Sequence, residues 1–222
     1  MRAMMTAVFL ALAASATARP IEKKVAAMPP VERGPATAKR VIVEFTDFGC
    51  KYCAKAALTV DQLRAKYGDD LKIVFKPVAL RIATYPDSTT ATRFFLAATL
   101  QSADKAWSFH DALFAHQEFV ANESFLRKAA MIAGLDFERL KADAEGPAIG
   151  ARTASDLADF KAAGLTGVPV FLIGESTIQG AQPIETFDAA LGGAPAATPE
   201  KSAPARAWYD DAPAKNDLKE EK

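Results

Sequence analysis

Apolar and polar positions sort this chain into short segments of distinct period. Val41-Ile42-Val43-Glu44-Phe45-Thr46 has almost no polar alternation, as expected of a strand covered on both faces. From Cys50 to Tyr67 the small or apolar positions Cys53, Ala57, Val60, Leu63 and Tyr67 recur at three or four, and Gly68 follows as a stop. That spacing predicts an amphipathic helix. Leu71 to Lys76 reads as a second strand, ended by Pro77. Strand, helix, strand opens an α/β sheet. Helical signals then run from Ser88 to Ala163. Ser88, Asn122 and Asp136 are placed to cap, Pro147 to open a helix, and Gly134 and Gly164 to end one. Strand signals return at Val170–Ile173. Gly174-Glu175-Ser176 makes a tight connection to Thr177–Gln179, and a last helix runs from Pro183 to Leu191. The order is β-α-β, a helical block, then β-β-α, with no internal repeat.

The ends read differently. Arg2 followed by the apolar run Ala7–Ala16 and the small-x-small step Ala16-Thr17-Ala18 predicts a signal peptide over 1–18, cleaved near Ala18. The run is shorter than the about 20 apolar residues needed to span a bilayer. Residues 19–40 carry Pro20, Pro29, Pro30, Gly34 and Pro35 without a sustained period and read as an arm or linker. Residues 192–222, rich in Pro, Lys, Glu and Asp, read as a disordered tail. Composition narrows the class further. Half of the 222 residues are hydrophobic and 24% are charged, which fits neither a disordered nor a polytopic membrane chain. Basic and acidic residues balance at 27 each, so no broad basic surface speaks for nucleic acid.

The chain has two cysteines, Cys50 and Cys53, and two histidines, His110 and His116. A C-x-x-C pair serves zinc and redox sites alike. Zinc needs four ligands, and the histidines stand far from the cysteines in sequence. A disulfide across two intervening residues would constrain the unfolded chain little. The pair opens a helix directly after a buried strand, and this favours redox chemistry. At a helix N-terminus Cys50 meets unpaired N–H groups and the positive end of the dipole, and Lys51 adds a charge beside it. Cys50 is then the attacking thiolate, and Cys53, one turn deeper, resolves the mixed disulfide. No metal and no organic cofactor is required beyond the redox-active Cys50–Cys53 disulfide. Two charges interrupt the strands: Glu44 in the first and Lys76 at the end of the second. If the strands are adjacent, the two can meet beneath the cysteines, with Glu44 relaying a proton for Cys53. The plainer alternative is a Glu44 stem packed at a strand edge. Val168-Pro169, just before a strand, forfeits one ladder donor, and its peptide bond would be trans on base rates.

Together, Val43-Glu44-Phe45-Thr46-Asp47-Phe48-Gly49-Cys50-Lys51-Tyr52-Cys53, Ala106–Phe114, Gly167-Val168-Pro169-Val170-Phe171 and Ile178-Gln179-Gly180 resemble the thioredoxin superfamily. Within it they are similar to the exported DsbA-like thiol:disulfide oxidoreductases, over about residues 34–191. The resemblance implies an α/β thioredoxin fold with an inserted all-helical domain: 41–87 and 164–191 for the former, 88–163 for the latter. It implies a cis Val168-Pro169 bond facing the disulfide, and Glu44 as the buried proton relay. Lys51, Tyr52, Val168 and Pro169 become the substrate-contacting residues. The dipeptide departs from the best-known oxidases, which carry Pro-His between the cysteines. Valine before the proline resembles the oxidases rather than the isomerases, and 19–40 is too short for the isomerases' dimerisation domain.

The resulting expectation is a soluble periplasmic enzyme that oxidises cysteine pairs of reduced or misoxidised exported proteins. A membrane redox partner, a quinone-linked oxidase or a thiol donor, would recharge it. The alternatives are a reductase or isomerase kept reduced by a membrane donor, a Cu(I)- or zinc-binding dithiol protein, and a non-catalytic adaptor or chaperone using the helical face.

Overall fold

The computed structural model describes residues 28–193; the expected leader, part of the arm and nearly all of the tail lie outside the described residues. The sheet has five strands, β1 (Val31–Arg33), β2 (Arg40–Thr46), β3 (Leu71–Pro77), β4 (Val170–Ile173) and β5 (Ser176–Gln179), in the order β1-β3-β2-β4-β5. Helix α1 (Lys51–Tyr67) carries the chain from β2 to its parallel neighbour β3. All other pairings are antiparallel. Helices α2 (Thr89–Thr99), α3 (Ala103–Ala115), α4 (Glu123–Ile132), α5 (Phe137–Glu145) and α6 (Pro147–Ala162) form the block between β3 and β4, and α7 (Ile184–Ala190) follows β5. This is the thioredoxin-type α/β sheet with a helical insertion.

Strand register decides which side chains share a face. Ile42 lies opposite Ile73, Glu44 opposite Phe75 and Phe45 opposite Lys76. Alternation then puts Ile42, Glu44 and Thr46 on one face of β2, and Val43 and Phe45 on the other. On the first face Ile42, Ile73, Phe171 and Ile173 pack with Ala56, Val60 and Leu63 of α1 and Phe187 of α7. On the second, Phe45 meets Phe160 of α6, with ring centroids 5.8 Å apart. Both faces are covered, which is why β2 reads as nearly unbroken apolar sequence.

The helical block shares its core with the sheet. Phe94, Phe95, Phe109 and Leu113 join one cluster with Phe48, Phe75 and both cysteines. Ser102, Asn122 and Asp136 cap α3, α4 and α5 by accepting from Lys105, Phe125 and Arg139 N–H groups. Ser88 makes no cap for α2; its hydroxyl donates to Asp47 instead.

Two further expectations are corrected. Part of the supposed 19–40 arm is strand β1, whose Val31, Glu32 and Arg33 pair with Phe75, Val74 and Ile73. Lys76 does not meet Glu44. The strands are adjacent, but the register puts Glu44 opposite Phe75, so Lys76 emerges on the other face, toward α6. There its ammonium reaches Asp156 at 3.0 Å and Asp159 at 2.7 Å.

Candidate active site

The turn after β2 builds the site. Cys50 is the N-cap residue of α1, with φ −87° and ψ 116°. Its sulfur takes the place where a capping oxygen accepts the first free N–H groups. As a thiol it makes no cap hydrogen bond. As a thiolate it is favoured by the Cys53 thiol first, and also by the Cys53 and Tyr52 backbone N–H groups, against the cost of burial; its pKa is lowered from 9.0 to about 6. Cys53 sits one turn deeper and fully buried. Burial, and the hydrogen bond it gives to Cys50, hold its thiol far above the usual range. The Asp47 N–H points at Cys53 Sγ over 3.4 Å. The two sulfurs are thus unequal: Cys50 is held as a thiolate at neutral pH and Cys53 as a thiol. That is the asymmetry an attacking and a resolving cysteine need.

Cys50 is only 2% exposed, and its Sγ lies 3.6 Å from the Val168 carbonyl, to which it donates only when protonated. The Val168–Pro169 bond is cis. A cleft of ≈ 230 Å³ runs along the same loop, lined by residues 164–170 with Gln179 and Gly180. Tyr52 is 51% exposed beside the pair. The Lys51 ammonium, expected next to the thiolate, lies 5.2 Å from the Tyr52 ring centroid.

Glu44 is 3% exposed, on the face of β2 toward α1. Burial first, then the Asp61 charge, push its carboxyl up from 4.5 to about 8, while Thr46 and Arg33 pull the other way. Arg33, from the strand that sequence reading passed over, is thus a cation near Glu44, and Arg64 of α1 lines the same cavity. Arg33 also lies 3.7 Å from Asp61 and 3.8 Å from Asp111. His110 sits among the rings of Phe48, Phe75, Phe95, Trp107 and Phe114, its Nδ1 2.8 Å from Asp111. It packs where the helical block meets the sheet. Among the described residues no three His, Cys, Asp or Glu side chains gather as a metal site.

Three residues missed by sequence reasoning fix the turn. The buried Asp47 carboxylate accepts from Gly49 N–H and Ser88 hydroxyl on one oxygen and from Leu80 N–H on the other. It thereby ties the cysteine turn to the loop after β3. Gly49 packs so closely on that loop that a Cβ would stand 2.4 Å from the Pro86 carbonyl oxygen. Gln117, just beyond α3, donates from Nε2 to the carbonyls of Phe48 and Cys50, each at 2.8 Å. An acid inside the apolar stretch before the cysteines was a visible signal for Asp47. Nothing local marks Gln117.

A reduced pair with split acidities, at a helix N-terminus and against a cis-proline loop, defines a thioredoxin-type dithiol centre. The chain belongs to the DSBA-like thioredoxin domain family, whose model matches residues 41–192. Among solved structures it is similar to a thioredoxin-like oxidoreductase from Silicibacter pomeroyi, at 26% identity and TM-score 0.63, covering 72% of this chain and 89% of that one. A periplasmic thioredoxin-like protein from Salmonella enterica serovar Typhimurium shares the fold at 21% identity and TM-score 0.59, covering 72% and 87%. The chain is also 35% identical over 169 residues to a protein of Herminiimonas arsenicoxydans named Na(+)/H(+) antiporter NhaA, covering 73% of this chain. It spans about a quarter (26%) of that relative's length, and antiport is the name of that whole protein. No helix among the described residues is long and apolar enough to cross a membrane.

Proposed function

We propose that this protein is a thiol:disulfide oxidase acting on exported proteins. The observation that carries the reading is the split acidity of Cys50 and Cys53 at the start of α1. A substrate thiolate attacks Cys50 of the Cys50–Cys53 disulfide, and the sulfur–sulfur bond breaks with its electron pair on Cys53. The second substrate thiolate then attacks the mixed disulfide and releases Cys50 as a thiolate. Because that thiolate is a stabilised leaving group, the second step favours transfer of the disulfide to substrate. Glu44 supplies the proton that Cys53 takes up. Substrate backbone lies along Val168 and Pro169, with Lys51 and Tyr52 at the rim. Lys76 has no part in this chemistry; its bonds to Asp156 and Asp159 are structural.

The periplasm is the proposed compartment. Supporting it are the leader-like pattern of residues 1–18 and the periplasmic name of one protein sharing the fold. A membrane redox partner, quinone-linked in the oxidase reading, restores the disulfide, and no organic cofactor or metal enters. Refolding of reduced ribonuclease tests the activity. Oxidised protein should restore ribonuclease activity stoichiometrically, and Cys50→Ser should abolish it. Activity surviving in Cys50→Ser would overturn the assignment.

A further inference from the structure

We propose that the Thr46 hydroxyl carries the proton between Glu44 and Cys53. The inference deepens the exchange reading and rests on it, together with the role given to Glu44. Thr46 follows Glu44 by two positions on β2, so both side chains leave the same face of the strand. It is fully buried, and in the reduced protein its Oγ1 has no hydrogen-bond partner of proper distance and angle. A sealed hydroxyl without a settled partner is uncommon and costly, and a site that uses it in another state is one resolution of that cost. Its surroundings supply the use. The Asp47 N–H, the next donor along the chain, points at Cys53 Sγ, which sets that sulfur over the end of β2. Thr46 lies close enough to both the Cys53 thiol and the Glu44 carboxyl to lower the pKa of each.

The groups around Glu44 leave Thr46 as the link toward the sulfurs. The other charged groups facing it are Arg33 from β1, Asp61 and Arg64 from α1, and His110 from α3. They line a cavity of ≈ 10 Å³ away from the cysteines, at the lower limit for one water. Asp111 stands behind His110 and Arg33. Facing Cys53 are the Cys50 sulfur and the backbone N–H of Asp47, and Tyr85 interacts with both sulfurs. A hydroxyl both donates and accepts, and its hydrogen rotates freely, so it can pass a proton without changing its own state.

The step balances. As substrate thiolate bonds to Cys50 Sγ, the Cys50–Cys53 bond breaks and its electron pair stays on Cys53. Thr46 gives its proton to that sulfur while taking one from the Glu44 carboxyl, leaving a Cys53 thiol, an intact threonine and a Glu44 carboxylate. Recharging runs the same path backward.

The test uses the full chain in single-turnover exchange with glutathione at pH 7. Thr46→Val should slow Cys53 release and attack about a hundredfold or more, the scale of a lost proton-transfer group. Thr46→Ser should stay within about twofold of the wild type, and the equilibrium constant with glutathione should be unchanged in both. The Glu44→Gln rate loss should not multiply with that of Thr46→Val, because both cut one path. Wild-type rates in Thr46→Val, or losses that multiply with Glu44→Gln, would overturn the relay. If Thr46→Val does not fold, Thr46→Ala takes its place with the same expected outcomes. Failure of the foundations is separable: no exchange by wild type defeats the oxidase reading, and a full rate in Glu44→Gln defeats the role of Glu44.

Discussion

Glu44→Gln should make the protein more stable, and by an amount that depends on pH. The carboxyl is buried against α1 with its pKa raised from 4.5 to about 8, first by burial and then by Asp61. In the unfolded chain it ionises near 4.5; in the folded chain it keeps its proton until about 8. Between those values the native state binds a proton that the unfolded state lacks, so stability falls as pH rises. The full span of about 3.5 units corresponds to about 5 kcal/mol above pH 8, of which about 3 kcal/mol is already lost at pH 7. Glutamine has the shape of the protonated acid and never ionises. Its variant should match wild type near pH 4.5 and exceed it by about 3 kcal/mol at pH 7. Urea denaturation of both reduced proteins across this range measures the difference, and titration of Asp61 and the other shared groups cancels in it. A difference that stays constant from pH 5 to 8 would refute the reasoning, because Glu44 would then titrate as an ordinary surface carboxyl.

The alkylation rate of Cys50 should rise through a midpoint near pH 6, while Cys53 in Cys50→Ser stays unreactive at neutral pH because burial holds its thiol protonated. Cys53→Ser should accumulate mixed disulfides with substrate, seen as mass adducts lost on reduction. Lys76→Met should cost about 2 kcal/mol in denaturant unfolding by removing its charged hydrogen bonds to Asp156 and Asp159, yet leave the Cys50 midpoint in place. Gly49→Ala should cost about 1–3 kcal/mol and slow exchange, because a Cβ 2.4 Å from the Pro86 carbonyl must push the loop after β3 away from the cysteines. An unaltered melt and rate would show that this loop yields freely.

What was legible in the sequence had a local cause. The cysteine pair was readable because a buried-strand pattern runs straight into a helical period at Cys50. The helices of the insertion announced themselves through Asn122, Asp136 and Pro147. The failures all required knowing what lies across space. Pairing Glu44 with Lys76 needed the strand register, and a single-residue offset sends the two side chains to opposite faces. Strand β1 is three residues long and is a strand only because β3 offers it an edge, so Val31–Arg33 carries no period of its own. Ser88 had the residue type and position of a helix cap, but a buried carboxylate 41 residues earlier in the chain is a stronger partner. Gln117 acts on Cys50 from 67 residues away, through contacts that only the docked helical block creates.

The reduction potential of the Cys50–Cys53 pair, measured by equilibration with glutathione buffers, tests the central claim most directly. Stabilisation of the Cys50 thiolate favours the reduced form, and every 1.4 kcal/mol of it raises the potential by about 30 mV. The account predicts a potential above about −200 mV at pH 7, on the oxidising side of the cytosolic thioredoxin range. A value near −250 mV or lower would contradict it and mark the protein as a reductant.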